Sequence, residues 1–329
     1  MTSLTASERD AGRNLQGNGN AGDVWADRIF RGATLVAGLT VLAVLALIAY
    51  STTKEAWPAF HHAGLSFVTS SRWDPAHNKF GALAFVYGTL VTSLIAIVIA
   101  VPVSVGIALF TTEVASPRLR RPIVYVIDLL AAIPSVVYGL WGVFVFAAWA
   151  QPKYQTVAGW VKHIPVLNTI FGGSATGRSF MTAGIILSFM VTPIITALTR
   201  ETFATVAQDD KNAAIAMGAT RWEMIRVTVL PRVRGGMVAA VMLGLGRAMG
   251  ETIAVALVIG SSHQITTHLF SSGDSMAAVI ANEFGEAQGD HRAALIGLGV
   301  LLFVITILVN MAARLVLRMT SRDNMGSRA

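Results

Sequence analysis

The chain has 329 residues, 54% of them hydrophobic and only 13% charged, with no cysteine and a formal charge of +7. Soluble domains carry about 25% charged residues, so this composition belongs to an integral membrane protein. The lack of cysteine excludes disulfides, thiolate metal sites and thiol nucleophiles, and no basic run interleaved with aromatics points to nucleic acid.

Residues 1–27 mix Ser, Thr, Asn, Gly and charge with no apolar core behind a basic start, so they read as a disordered tail rather than a cleaved signal peptide. Apolar segments long enough to cross a hydrocarbon layer of roughly 30 Å follow near 31–51, 83–112, 122–150, 180–200, 234–260 and 293–317. The fold class is therefore all-α, with about six transmembrane helices. Pro102, Pro134 and Pro193 are expected to kink the second, third and fourth. The tail, the 113–121 turn, the 200–234 loop and the C-terminus hold about seventeen Lys and Arg, the other three loops about seven. Positive residues stay inside, so both termini are expected in the cytoplasm.

The outer segment 52–80 contains Trp57, Phe60, Phe67 and Trp73, and the segment 151–179 contains Tyr154 and Trp160. Two readings are open for these aromatics, interfacial anchors or a docking surface for an external partner. The histidines at 61, 62, 77, 163, 263, 268 and 291 all fall in predicted outer loops, lack the spacing of a metal site and read as solvated.

In the third span Asp128 is an intramembrane acid. It either pairs with an arginine of another chain or sits at the inner interface with Arg121, and the second placement is preferred. Ser135, beside Pro134, either offers its hydroxyl to an anion or caps a carbonyl freed by the kink.

Between the fourth and fifth spans, Ala213, Ala214, Ile215 and Met217 suit a short helix and Gly218 a turn. Trp222, Met224 and Ile225 then open a second apolar face before Leu230-Pro231. This predicts a helix–turn–helix knob whose exposed apolar residues call for a partner.

The fifth span reads Gly-Leu-Gly-Arg-Ala-Met-Gly-Glu-Thr from Gly244 to Thr252, placing Arg247 and Glu251 one helical turn apart. A charge at bilayer depth costs at least roughly 2.5–3.5 kcal/mol on insertion scales and usually faces a bundle interior or a water-filled path. Three readings stay open for Arg247: an intrahelical pair with Glu251, an interhelical bridge that gates a path, or direct contact with a translocated anion. The guanidinium fork matches the oxygens of an anion, and Gly244, Gly246 and Gly250 leave room for an ion or a neighbouring helix.

The 209–231 segment resembles the EAA loop of ABC importer permeases. It matches at Ala213, Ala214, Gly218, Leu230 and Pro231, and departs at Asn212, where that family usually has Glu, and at Thr228, where Ile is usual. Residues Ile133 to Gly139, the Gly244 to Thr252 stretch and Trp73-Asp74-Pro75 are similar to phosphate-specific permeases of the PstC type. The resemblance implies the type I ABC importer permease fold, with a transmembrane domain over 28–320, a coupling loop over 201–232 within it and a C-terminal tail over 321–329. It implies a multi-pass protein of the bacterial inner membrane that imports phosphate by alternating access.

The implied partners are a PstA-type permease, a PstB-type ATP-binding dimer that carries ATP and Mg, and a PstS-type phosphate-binding protein. The implied coupling residues are Asn212, Ala213, Ala214, Gly218, Leu230 and Pro231. The chain has no phosphate loop of its own, so it is read as a transport subunit rather than an enzyme. Rival readings are a permease for sulfate, molybdate or phosphonate, a secondary transporter working alone, and a membrane enzyme using Glu251 or Asp128 as acid or base. No H-E-x-x-H or G-x-S-x-G motif supports the last.

Overall fold

The structure, a computed structural model, describes residues 21–326, with side chains described from 25 to 315. Residues 1–20 of the expected N-terminal tail and 327–329 of the C-terminal one lie outside the described residues. Helix α1 (Ala21–Ala63) takes in residues 21–27, which the sequence placed in the tail.

Among the described residues, six helices are long and apolar enough to cross a membrane, within Trp25–Ala63, Leu83–Val114, Ser135–Val161, Phe180–Ala204, Arg221–Gly250 and Gly289–Leu315. The chain divides into two compact units, Met1–Lys54 and Glu55–Ala329. In the first unit, none of the described residues of α1 is buried. An apolar helix without a buried face suits surroundings that are apolar all round.

In the second unit, α2 (Leu83–Val114) ends in a π turn at Phe110–Val114, and α3 (Pro117–Ala132) follows. The chain is then extended at Ile133 and Pro134 before α4 (Ser135–Val161) begins. The third span therefore starts at 135 rather than 122. Proline forces its predecessor out of the helical region, so the expected kink is a full break. The Tyr138 hydroxyl bridges it, donating to the Leu130 carbonyl at 3.0 Å.

A short helix α5 (Pro165–Phe171) precedes α6 (Phe180–Ala204). The Ser179 side chain caps α6 by accepting from the Thr182 N–H. Next come α7 (Gln208–Ala216), α8 (Arg221–Gly250), α9 (Ile253–Val258), α10 (Met276–Glu283) and α11 (Gly289–Gly326).

Helices α2 and α6 run parallel and touch along their length. Gly184 lies against Ile95, and Ser104 Oγ donates to the Thr192 carbonyl at 3.1 Å. Helix α8 returns antiparallel, with Gly236 against Thr202 and Gly244 against Ile195. Small residues let these backbones approach closely, which is how helices associate where no hydrophobic effect drives them together. At one end Ala108, Phe203, Val206, Met224, Ile225 and Val229 form an apolar cluster.

At the opposite end, Trp73–Asp74 and Lys79–Phe80 form a small antiparallel hairpin, β1 and β2. Phe67, Trp73 and Phe80 are buried there against Met276, Val279, Leu295 and Leu298. Tyr154 is also buried, stacked on Phe270 at 4.4 Å. Phe67 and Trp73 of the 52–80 segment and Tyr154 are thus core residues, which neither sequence reading foresaw, whereas Trp57 and Trp160 stay exposed. The segment after α9 folds back over the bundle. Gly273 lies against the Phe180 ring and Gly88 against the Asp274 carbonyl, both so closely that a Cβ has no room.

Candidate functional site

Helix α8 stops at Gly250, Glu251 is extended at φ −70° and ψ 126°, and α9 begins at Ile253. The fifth apolar segment is therefore two helices, not the continuous 234–260 span expected. Glycine at the last helical position weakens helix continuation, and the Thr252 hydroxyl satisfies the freed Gly250 carbonyl at 3.2 Å. Glu251 Oε1 accepts from the Ala254 N–H at 3.4 Å, capping α9.

Arg247 and Glu251 are consequently not the intrahelical pair that four-residue spacing suggests, and among the described residues no ion pair joins them. Arg247 lies in the last turn of α8 and Glu251 at the first of α9, where each charge meets the helix end of opposite sign.

Both residues line an open cleft of about 1050 Å3 between α8, α6 and α11. Its wall is mostly apolar, supplied by Ile194, Met242 and Ile307 among others, and its remaining polar groups are Asn310 and Arg314 of α11. Gly246 and Gly250 face open space, so they widen the cleft, whereas Gly244 serves helix packing against Ile195.

Asp128 and Ser135 are not among the residues that line this cleft. Asp128 is exposed on α3, outside the third span, and makes no ion pair with Arg121 among the described residues. Ser135 is half-buried at the first turn of α4, and its hydroxyl has no hydrogen-bond partner among the described residues. Asn310 escaped the sequence reading, and Arg314 entered it only among the positive charges of the inner side. Their signal was there: a polar residue inside the sixth apolar stretch, with an arginine one turn on, on the same face.

The 201–232 segment is shorter as a loop than expected, because α6 reaches Ala204 and α8 starts at Arg221. Within it α7 carries Asn212, Ala213 and Ala214, and Gly218 takes φ +90°, the left-handed conformation that ends the turn. Thr220 and Glu223 form a reciprocal capping box at the start of α8. A π turn at Ile225–Val229 sits immediately before Leu230-Pro231, where proline has no N–H to give to the preceding turn.

One face of this knob is buried, through Met224, Ile225 and Val229. The other is open, with Met217 85%, Trp222 61% and Val227 72% exposed. Asn212 accepts a hydrogen bond from Gln208 at 3.2 Å within α7, and Asp210 pairs with Arg232. Lys211, which the sequence reading passed over, reaches out of the knob to Glu113 of α2.

At the hairpin end, the solvated-loop reading of the histidines fails for three of them. His263, His268 and His291 are half-buried. His263 Nε2 faces Asp274 Oδ2 at 3.3 Å and Glu283 Oε1 at 3.6 Å, and His291 meets Glu283 at 2.9 Å. Trp73 Nε1 donates to the same carboxylate at 2.9 Å. Hydrogen bonding to Asp274 and the two nearby carboxylates hold the His263 pKa above its ordinary value, against the opposing effect of burial.

Residues 100–322 match the family described as binding-protein-dependent transport system inner membrane component. The chain belongs to that family. It is 46% identical over 293 residues to the phosphate transport system permease protein PstC of Mesorhizobium japonicum, covering 88% of this chain and 90% of that one. It is 43% identical over 294 residues to the protein of the same name from Haemophilus influenzae, covering 89% and 93%. A crystal structure of a bacterial ABC transporter for alginate import shares the fold at a TM-score of 0.52 and 20% identity, covering 88% of this chain and 98% of that one. As a family member the chain is a multi-pass membrane permease, and its fold is that of ABC importer permeases.

Proposed function

We propose that this chain is a membrane-spanning subunit of an ATP-driven phosphate importer, with Arg247 in the path of the anion. The observation that carries the reading is its 46% identity, over 88% of the chain, to a permease named for phosphate transport. The cleft supports it on physical grounds. Phosphate carries one to two negative charges, and an uncompensated ion in low dielectric costs tens of kcal/mol by idealised Born estimates. Arg247 and Arg314 supply positive counter-charge on a wall that is otherwise largely apolar, while Glu251 partly offsets it when the path is empty.

In this reading the termini and the knob face the cytoplasm. The exposed face of the knob, with Met217 and Trp222, receives a PstB-type ATPase dimer that holds ATP and Mg. A PstA-type permease completes the path, and a PstS-type protein delivers phosphate outside. ATP-driven closure displaces the knob and, through the continuous helix from Arg221 to Gly250, moves Arg247. Asn212 stands where the family resemblance expects a carboxylate, so contact with the ATPase rests on the apolar face and on neighbouring Asp209.

The deciding experiment is ATP hydrolysis by the reconstituted complex with phosphate-loaded or sulfate-loaded binding protein. Stimulation by the phosphate-loaded form alone is expected. Equal or sulfate-only stimulation would overturn the substrate, and the absence of an associated ATPase would overturn the importer reading.

A further inference from the structure

The Lys211 ammonium lies 2.6 Å from Glu113 Oε1, and the two side chains are only 9% and 6% exposed. They join elements far apart in the chain. Lys211 belongs to α7, one residue before Asn212-Ala213-Ala214, and Glu113 to the π turn that closes α2. Both elements also meet in an apolar cluster, with Leu109 of α2 and Ala214 of α7 packed at the edge of a core that includes Ala108, Phe203 and Val229.

Stability alone does not account for such a pair. Desolvating two charges consumes most of their attraction, and an apolar pair of similar volume is commonly as stable or more so. What an ion pair adds over apolar contact is a directional, short-range link that fixes one element against another. The other charge pair of the knob, Asp210 with Arg232, is 38% and 53% exposed, open to screening, and ties the knob only to its own following helix. Lys211 with Glu113 instead ties it to α2, which packs along α6 and is bonded to it at Ser104. Force on α7 therefore has two exits: directly into α8, and through the pair into α2.

We propose that Lys211 and Glu113 form a buried strut that carries displacement of the knob into the second span, making them positioning residues for transport. This rests on the reading that an ATPase docks on the knob. Severing the strut leaves docking and ATP hydrolysis in place but wastes the stroke.

The test uses the full complex in proteoliposomes and reads phosphate taken up per ATP hydrolysed, beside co-purification of the ATPase. The apolar replacement Lys211→Met with Glu113→Leu avoids a stranded buried charge, and the swap Lys211→Glu with Glu113→Lys restores the link in reverse. The apolar replacement is expected to assemble and hydrolyse ATP while uptake per ATP falls at least about threefold. The swap is expected to recover most of that loss. A wild-type ratio in the apolar replacement overturns the strut, as does a swap that remains equally uncoupled, because the loss then follows altered packing. Wild-type complex lacking ATP hydrolysis stimulated by the binding protein overturns instead the docking reading beneath it.

Discussion

Arg247 closes α8 and Glu251 caps α9, so the two opposite charges share one cleft without forming an ion pair. Each is steadied by the end of its own helix rather than by the other, which leaves the guanidinium donors of Arg247 available to a passing anion. Charge-assisted hydrogen bonds are worth about 1.5–3 kcal/mol, equivalent to roughly 12-fold to 150-fold in rate. Arg247→Leu is expected to lower phosphate uptake by at least that factor while the complex still assembles. Near-normal uptake in proteoliposomes would remove Arg247 from the path.

Glu251 has a second task, since its side chain serves the first turn of α9. Glu251→Ala loses both the cap and the charge and is expected to cost about 1 kcal/mol of stability, whereas Glu251→Gln keeps an acceptor and costs less. Thermal unfolding of the purified complex measures the difference. Equal melting of both variants would mean that the cap contributes nothing.

Gly218 sits at φ +90° with open space where a Cβ would go. Backbone strain is thus the whole penalty of Gly218→Ala, about 1–2 kcal/mol confined to the turn. ATP hydrolysis stimulated by the binding protein should drop while melting of the membrane bundle is unchanged. Gly218→Arg adds bulk on the exposed face and should abolish stimulation. Full stimulation in the Arg variant would rule out docking at this turn.

Two neighbours on the knob make a contrasting pair. Trp222 is 61% exposed and Met224 only 5%. Trp222→Ala should leave stability within about 0.5 kcal/mol and weaken ATPase binding by about 2 kcal/mol or more. Met224→Ala should instead destabilise the bundle by about 2–5 kcal/mol. Pull-down and thermal melting of the two variants separate the effects.

The pKa of His263 is raised, chiefly by its hydrogen bond to Asp274. Its contribution to stability is therefore fully present below the unfolded value of about 6.5 and is lost as pH rises through the elevated folded value. Asp274 and Glu283 face the ring, His291 shares Glu283, and Arg178 lines the adjoining cavity. Amides of α10 should lose protection from hydrogen exchange, corrected for intrinsic rate, as pH rises above about 6.5 and through the elevated folded value. His263→Gln should flatten that dependence. A wild-type profile in the variant would assign it to another group.

The sequence made six spans legible because membrane helices must satisfy their backbones internally and therefore announce themselves by length. It concealed the breaks. Pro134 marked its own, but Gly250-Glu251-Thr252 is as compatible with a helix as with a gap, and only the packing of α9 decides it. The hairpin core was hidden for another reason: Trp73 and Phe67 are buried by residues more than 200 positions away, which no local pattern encodes. Arg247 stood out as a charge among apolar residues. Lys211, in a polar stretch with acidic neighbours, gave no sign that it is buried.

The π turn at Ile225–Val229 lies between the Gly218 turn of the knob and Arg247 on one uninterrupted helix. A π turn holds one residue more than an α turn spanning the same contact. That surplus residue is absorbed inside the turn, so the helix after it keeps the phase of an unbroken α-helix one residue shorter. Removing one residue there would return the turn to α geometry and leave Arg247 facing as before, whereas removing one from the regular helix beyond it would swing Arg247 by about 100° and draw it about 1.5 Å along the axis. Next to the surface where the ATPase is proposed to push, the helix thus holds one residue of slack that can be taken up without turning the arginine away from its cleft.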